Sequence, residues 1–207
     1  MESRIWKRLT QLYWSIPPRR ARPASVGFNA LKTLAQSLSM WLVFLAIGPF
    51  LVWHIESLLL RFGWPLGRFP FPFPLAARLF CGCWVVAWWS AWCLIRWGDG
   101  TPLPLDATNN LVVRGPYRFV RNPMAFASLG QGAAIGLALG SPLVLLYVAI
   151  GAGMWNFLAR PWEERDMEER HGESFRAYKA AVRCWMPRLK AYSPPAENGA
   201  SLGTEDA

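Results

Sequence analysis

Three long uncharged stretches interrupt an otherwise basic and polar chain. From Thr33 to Trp53 no residue is charged, and a run of about twenty apolar residues is what one helix needs to cross a hydrocarbon core. Gly48-Pro49 within it predicts a kink. A second run, Leu79 to Ile95, is bracketed by Arg78 and Arg96. The connector between them, Arg61 to Pro74, contains Phe69-Pro70-Phe71-Pro72-Phe73-Pro74, which cannot continue a helix. The third run, Asn122 to Ala159, is about twice the length of one span. Gly140-Ser141-Pro142 near its middle predicts two helices joined by a tight turn, because Pro142 would break a single helix and half of it would stand in water.

The pattern therefore predicts an all-α, polytopic membrane bundle of about four transmembrane helices, the last two forming a C-terminal hairpin. After Arg160 the composition turns sharply polar. Residues 161–189 are rich in charge, with Phe175, Tyr178 and Val182 at helical spacing, and predict a cytoplasmic amphipathic helix lying against the bundle. At the other end, Ile5, Leu9, Leu12 and Ile16 share one side of a short surface helix, which the prolines from Pro17 to Pro23 would break. Three regions result: a basic cytoplasmic segment 1–32, a membrane domain 33–190, and a tail 191–207 with no apolar pattern, expected to be disordered. The polar, basic start predicts no cleavable signal peptide, and no internal repeat is visible.

Charge adds orientation. The net charge of +9 could suit nucleic acid or a membrane surface, but the Lys and Arg residues flank the apolar runs, which points to topology control rather than nucleic acid. The N-terminal segment, the loop from Arg96 to Arg121 and the tail after Arg160 are basic, and the turn at Gly140 is uncharged. The positive-inside rule then places both termini in the cytoplasm. The Arg-, Ala- and Trp-rich style suits a bacterial inner membrane, and the 13 Trp residues suit the aromatic belts of a bilayer. Of the four cysteines, Cys81, Cys83 and Cys93 lie in the second apolar run and Cys184 near the end; no Cys/His spacing suggests a metal site. His54 and Glu56, at the end of the first run, are expected to be interfacial.

Two clusters carry chemistry. Gly115-Pro116-Tyr117-Arg118 leads to Arg121-Asn122-Pro123, where Asn122 predicts a helix N-cap with proline at the first helical position. A helix N-terminus beside Arg118 and Arg121 is suited to a carboxylate or phosphate. Ordinary juxtamembrane arginines ahead of a capped helix would look the same. The second cluster is Arg160-Pro161-Trp162-Glu163-Glu164. With the turn at Gly140, Asn122 and Arg160 lie at one membrane face, so a cationic loop and an acidic pair would stand side by side, an arrangement suited to a zwitterionic ligand.

These residues, with Tyr178 and Met186-Pro187-Arg188, resemble the isoprenylcysteine carboxyl methyltransferase superfamily, which is similar to the membrane phospholipid methyltransferases. The resemblance covers roughly residues 75–190 and lies in the order and spacing of elements that are individually weak. It implies a helical membrane enzyme with S-adenosylmethionine as methyl donor and an amphiphilic acceptor, lipid-like or isoprenoid, reached from the bilayer. It also implies that Gly115, Pro116, Tyr117, Arg118, Arg121, Asn122, Pro123, Glu163, Glu164 and Tyr178 hold the cofactor, with Arg121, Asn122 and Glu163 nearest the chemistry. Trp162 or Tyr117 would pack on its adenine. Three positions depart from the pattern: Asn122 replaces a histidine, Ala125 a tyrosine, and His171-Gly172 a Phe-Gly pair. Asn122 can hydrogen-bond but cannot titrate near neutral pH, so methylation of a prenylated cysteine carboxylate is not expected. An NADPH-dependent sterol or isoprenoid reductase and a catalytically silent scaffold are the alternatives.

Overall fold

A computed structural model describes residues 21–22, 24–101 and 108–194. The expected surface helix at Ile5–Ile16, and the tail from 195 onward, lie outside them. The described residues form four long helices: α1 (Val26–Arg61), α2 (Phe73–Trp97), α3 (Pro123–Ala138) and α4 (Pro142–Ala181). Helices α1, α2 and α4 are each long and apolar enough to cross a bilayer. Helix α3 has 16 residues, about 24 Å of rise, and packs between α2 and α4.

The surface is that of a protein solvated by lipid. Leu42, Phe50, Val85, Ile150 and Phe157 are exposed, while Glu56, Gln131 and Ser141 are buried. Because lipid cannot satisfy a polar group, such residues turn inward and small residues take the helix contacts. A Cβ at Gly132 would meet Val148, and one at Gly136 would meet Leu145. Ala127 of α3 packs on Cys83 and Ala87 of α2.

Each helix start has a local cause. Ser25 Oγ accepts from Phe28 N–H at 3.2 Å, Asn122 Oδ1 from Ala125 N–H at 3.0 Å, and Ser141 Oγ from Val144 N–H at 3.1 Å. Pro123 and Pro142 open their helices, where the missing N–H costs nothing. The N-cap expected at Asn122 is therefore present.

Three boundaries differ from the sequence expectation. Helix α1 runs well past 33–53 at both ends, because weakly polar flanks continue a helix once it is nucleated. Gly48-Pro49 does not end it; the preceding turn, Leu42–Ile47, widens to π-helix, and Gly48 N–H bonds back to Val43 O. That widening accommodates a ring that would otherwise clash with the preceding turn. The charged helix is not separate: Arg160–Ala181 continues α4 through a second π-helical turn, Trp155–Ala159. Gly172, at φ +50°, bends it. Finally, the segment expected as a tail begins with bonded residues: Tyr192 N–H donates to Arg118 O at 2.9 Å.

The hairpin turn is held by a buried carboxylate. Glu56 of α1 is fully buried; its Oε2 accepts from Ser141 Oγ–H and from Leu143 N–H at 3.0 Å, and its Oε1 from Arg68 Nε at 3.1 Å. Arg68 also lies over the Trp53 ring at 4.7 Å. Next to this latch, Phe69 N–H donates to Gly140 O at 3.1 Å. Gly140 has φ +57°, and a Cβ there would stand 2.1 Å from Phe69 O, so only glycine fits the turn. Glu56 is thus a far-side capping group rather than an interfacial bystander. Glu56→Ala leaves Ser141 and a helix N–H without their acceptor and Arg68 with Ser57 Oγ only, and should cost about 3 kcal/mol, with Glu56→Gln costing less. Denaturation of detergent-solubilised variants checks the order; equal stability of wild type and Glu56→Ala would refute the latch.

Candidate functional site

The apolar part of α4 ends at Ala159, and the residues from Arg160 onward stand beyond the membrane-spanning segment. At this level the loop before α3 meets α4. The loop closes with a 3-10 turn, Gly115–Arg118. Gly115 has φ +53°, and its missing Cβ would lie 2.7 Å from Cys93 Sγ, so glycine lets the turn rest directly on α2. Tyr178 O–H donates to Tyr117 O at 2.6 Å, fixing the turn to the distal part of α4.

Arg121 joins three stretches of chain. Its Nη1 donates to Lys179 O and Val182 O, both at 2.9 Å, and its Nη2 to Glu164 Oε1 at 2.7 Å. Glu164 also receives Arg160 Nε at 2.7 Å and Lys179 Nζ at 3.1 Å. Burial alone would raise the Glu164 carboxyl, but Arg160, Arg121 and Lys179 together hold it below the usual carboxylate range. Residues 183–192 then run back along the loop as a strap: Arg121 N–H donates to Arg183 O at 3.0 Å and Arg188 N–H to Phe119 O at 2.9 Å. Arg118 clamps the strap's end, with Nε to Tyr192 O at 2.7 Å and Nη2 to Ser193 Oγ at 2.9 Å.

Between loop, helix and strap lies a cavity of about 170 Å³. Tyr117, Arg121, Asn122, Glu163, Glu164 and Tyr178 line it. Gly115, Pro116, Arg118 and Pro123 do not; they shape the turn, clamp the strap and start α3. Glu163 differs from its neighbour. Among the described residues its side-chain hydrogen bond is with Asn122 Nδ2 at 3.4 Å, and no cation pairs with it. Burial, and then the adjacent Glu164 charge, push its carboxyl up to about 7. Arg121 Nε, also at the cavity, is buried without a hydrogen-bond partner. The site thus holds one uncompensated acid and one unused guanidinium donor, which is a poor arrangement for stability alone.

Sequence reasoning missed other wall residues, Trp155, Asp166, Arg170 and Cys184, and had named Arg160 and Phe175 without giving them a place in the cofactor site. Glu163, Asp166, Met167 and Arg170 recur every three or four residues, a single helix face that was legible. Arg170 pairs with Asp166 and donates to Thr108 O, tying the 96–121 loop to α4. Cys184 has no such signal, because only the strap's path brings it in. Trp162, a sequence candidate for aromatic packing, is not part of the wall, whereas Tyr117 is; Trp155, Phe175 and Tyr178 supply further aromatic surface.

Comparison with known proteins returns one family. A family model described as phospholipid methyltransferase matches residues 71–174, from the far-side end of α2 through the cavity-lining part of α4. No curated protein and no solved structure matches the chain. The match takes in Tyr117, Arg121, Asn122, Glu163 and Glu164 and covers half of the chain, so this integral membrane protein belongs to the phospholipid methyltransferase family, within the superfamily that includes the isoprenylcysteine carboxyl methyltransferases.

Proposed function

We propose that the chain transfers a methyl group from S-adenosylmethionine to a lipid-like or isoprenoid acceptor. The observation that carries this reading is that one cavity is lined both by Glu163, whose carboxylate has no cation among the described residues, and by Arg121, whose buried Nε has no partner. A ligand with a cationic group and a carboxylate answers both. The wall residues fit the group: an acid and a guanidinium donor for its charged end, and Tyr117, Phe175 and Tyr178 for its flat end.

When bound, the cofactor supplies a methyl on a positively charged sulfur, activated toward in-line displacement. The chain's own residues bind, orient and exclude water. Glu163, when ionised, offers the negative charge for a cationic partner. Asn122 spends Oδ1 on the α3 cap and presents Nδ2 to Glu163, so it orients that carboxylate without titrating. Arg121 has only its Nε to offer the ligand, since its terminal nitrogens are committed to the end of α4 and to Glu164. The strap covers the cavity, and water exclusion strengthens every charge interaction inside. Nothing in the wall favours a reductase or a silent scaffold over this reading.

The test is calorimetric titration of the purified chain with S-adenosylmethionine and, side by side, with NADPH. Binding of the first and not the second is expected. Absence of S-adenosylmethionine binding in a folded preparation would sink the proposal.

The Glu163 carboxyl makes affinity pH-dependent. Its folded value lies near 7, and a cationic partner prefers the ionised form, so binding weakens as pH falls through 7. One proton predicts about tenfold weaker binding at pH 6 than at pH 8, and Glu163→Gln should flatten that profile. The same variant tests stability. A carboxyl raised above its unfolded value of 4.5 favours the fold while protonated, and that contribution is lost as pH rises through 7. Glu163→Gln should therefore be more stable than wild type at pH 8, by about 3 kcal/mol, and indistinguishable at pH 4. A destabilised Glu163→Gln at pH 8 would show that Glu163 has a partner there.

A further inference from the structure

The strap that covers the cavity divides its side chains unevenly. Val182 is buried with Phe175 and Tyr178, Cys184 is buried in the cavity wall, and the N–H groups of Arg188 and Tyr192 donate to the loop. What the strap leaves exposed includes Arg183, Met186, Leu189 and Lys190, with Leu189 fully so. Arg183 Nη1 lies 3.7 Å from Met186 Sδ, so a basic and an apolar group share one exposed surface. From 183 to 192 the strap carries three basic residues and no acidic one. Among the described residues no carboxylate pairs with Arg183, Arg188 or Lys190.

Trp185 sets the depth at which the strap starts. Its ring packs edge-on against Trp155 at 5.1 Å, and its Nε1 donates to Asn156 Oδ1 at 2.9 Å. Trp155 and Asn156 belong to the π-helical turn in which the apolar run of α4 ends. Met154 and Phe157, on either side of them, are exposed lipid-facing residues. The strap therefore begins at headgroup level, where a half-buried tryptophan suits the boundary. Met186 follows Trp185 directly, so the strap's exposed apolar surface continues that of α4. An exposed apolar side chain gains free energy by entering the acyl boundary. Unpaired basic groups beside it meet the negative potential of anionic lipids. A zwitterionic surface offers the first gain and not the second.

We propose that the strap docks on an anionic bilayer surface, with Met186 and Leu189 entering the acyl boundary and Arg183 and Lys190 meeting lipid phosphates, and that this contact holds the roof of the cavity closed. Cys184, which lines the cavity, stands in sequence between Arg183 and Trp185. Membrane-gripping and cavity-lining residues thus alternate along one short stretch, and neither set moves without the other. Toward the protein the strap is held by single backbone bonds and by the Arg118 clamp. Each such bond is modest in net terms, so a surface that binds only the closed strap shifts its closure measurably. This deepens the functional reading by making cofactor retention depend on the surrounding lipid. The docking itself does not rest on that reading.

The experiment places the full chain in nanodiscs of phosphatidylcholine alone or of phosphatidylcholine mixed with phosphatidylglycerol, and follows hydrogen–deuterium exchange of residues 183–192. One basic residue at an anionic surface contributes about fivefold to binding, so the wild-type strap should exchange at least about tenfold more slowly in the mixed discs. R183Q/K190Q should exchange alike in both discs, and M186S/L189S should exchange faster than wild type in both. Circular dichroism should be unchanged, and K190Q alone serves if the double variant does not fold. Equal exchange of the wild-type strap in the two discs, or an undiminished difference in folded R183Q/K190Q, overturns the docking. Calorimetry with S-adenosylmethionine in the same discs tests the closure. Tighter binding by wild type in the mixed discs, lost in R183Q/K190Q, supports it; equal affinity in both discs despite a slowed strap overturns it. A wild type whose strap responds to lipid but which binds no cofactor supports the docking while refuting the methyl-transfer reading.

Discussion

The guanidinium of Arg121 holds together stretches of chain that are far apart in sequence. Two bonds to the carbonyls of Lys179 and Val182 seize the C-terminal end of α4, and one bond to Glu164 seizes its middle. Tyr178, Arg170 and Arg118 tie the same segments pairwise, but Arg121 reaches the loop, the middle of α4 and the start of the strap from one side chain. An arginine suits this task because its planar fork donates in several directions and stays charged when half-buried. Glu164 completes the node by accepting from Arg121, Arg160 and Lys179 at once. An acid with three cations is neutralised by the fold; among the described residues its neighbour Glu163 pairs with none.

This division between adjacent glutamates follows from helix geometry. Successive residues on a helix point about 100° apart. Both line the cavity, but Glu164 turns into the Arg121 node and also borders a second groove along α4, while Glu163 turns to Asn122. An acid paired with three cations and an acid without one thus coexist with no separation in sequence. The far side of the bundle is organised by a second buried carboxylate, Glu56, which caps α4 and fixes Gly140 beside Phe69. The two acids act at opposite ends of the same helix. Glu56 sets where α4 starts, and so helps set the height at which Arg160 and Glu164 meet the loop.

Membership in the phospholipid methyltransferase family agrees with where these groups lie. A membrane methyltransferase must bring a water-soluble donor to an acceptor that stays in the bilayer. The cavity lies beyond Ala159, at the polar face, and the outer side of α4 is lined with lipid-facing residues up to that level. The replacement of a histidine by Asn122 keeps a hydrogen-bonding group on Glu163 and removes one that could move a proton.

Much of the architecture follows from local rules acting on the sequence. Uncharged runs must become helices in lipid, Gly140-Ser141-Pro142 can only turn, and Asn122-Pro123 can only start a helix, so the bundle, the hairpin and the meeting of Arg121 with Glu163-Glu164 were legible before any coordinates. The spacing of Phe175, Tyr178 and Val182 likewise marked the buried face of the charged helix. Other features depend on contacts between residues distant in the chain, which no local pattern encodes. Glu56 looked interfacial until Ser141 and Leu143 were found against it. Arg118 looked like a ligand group until the strap took it. Which of two consecutive glutamates stays unpaired was decided by where Arg121, Arg160 and Lys179 arrive in space, and a charge pattern in one dimension carries no record of that.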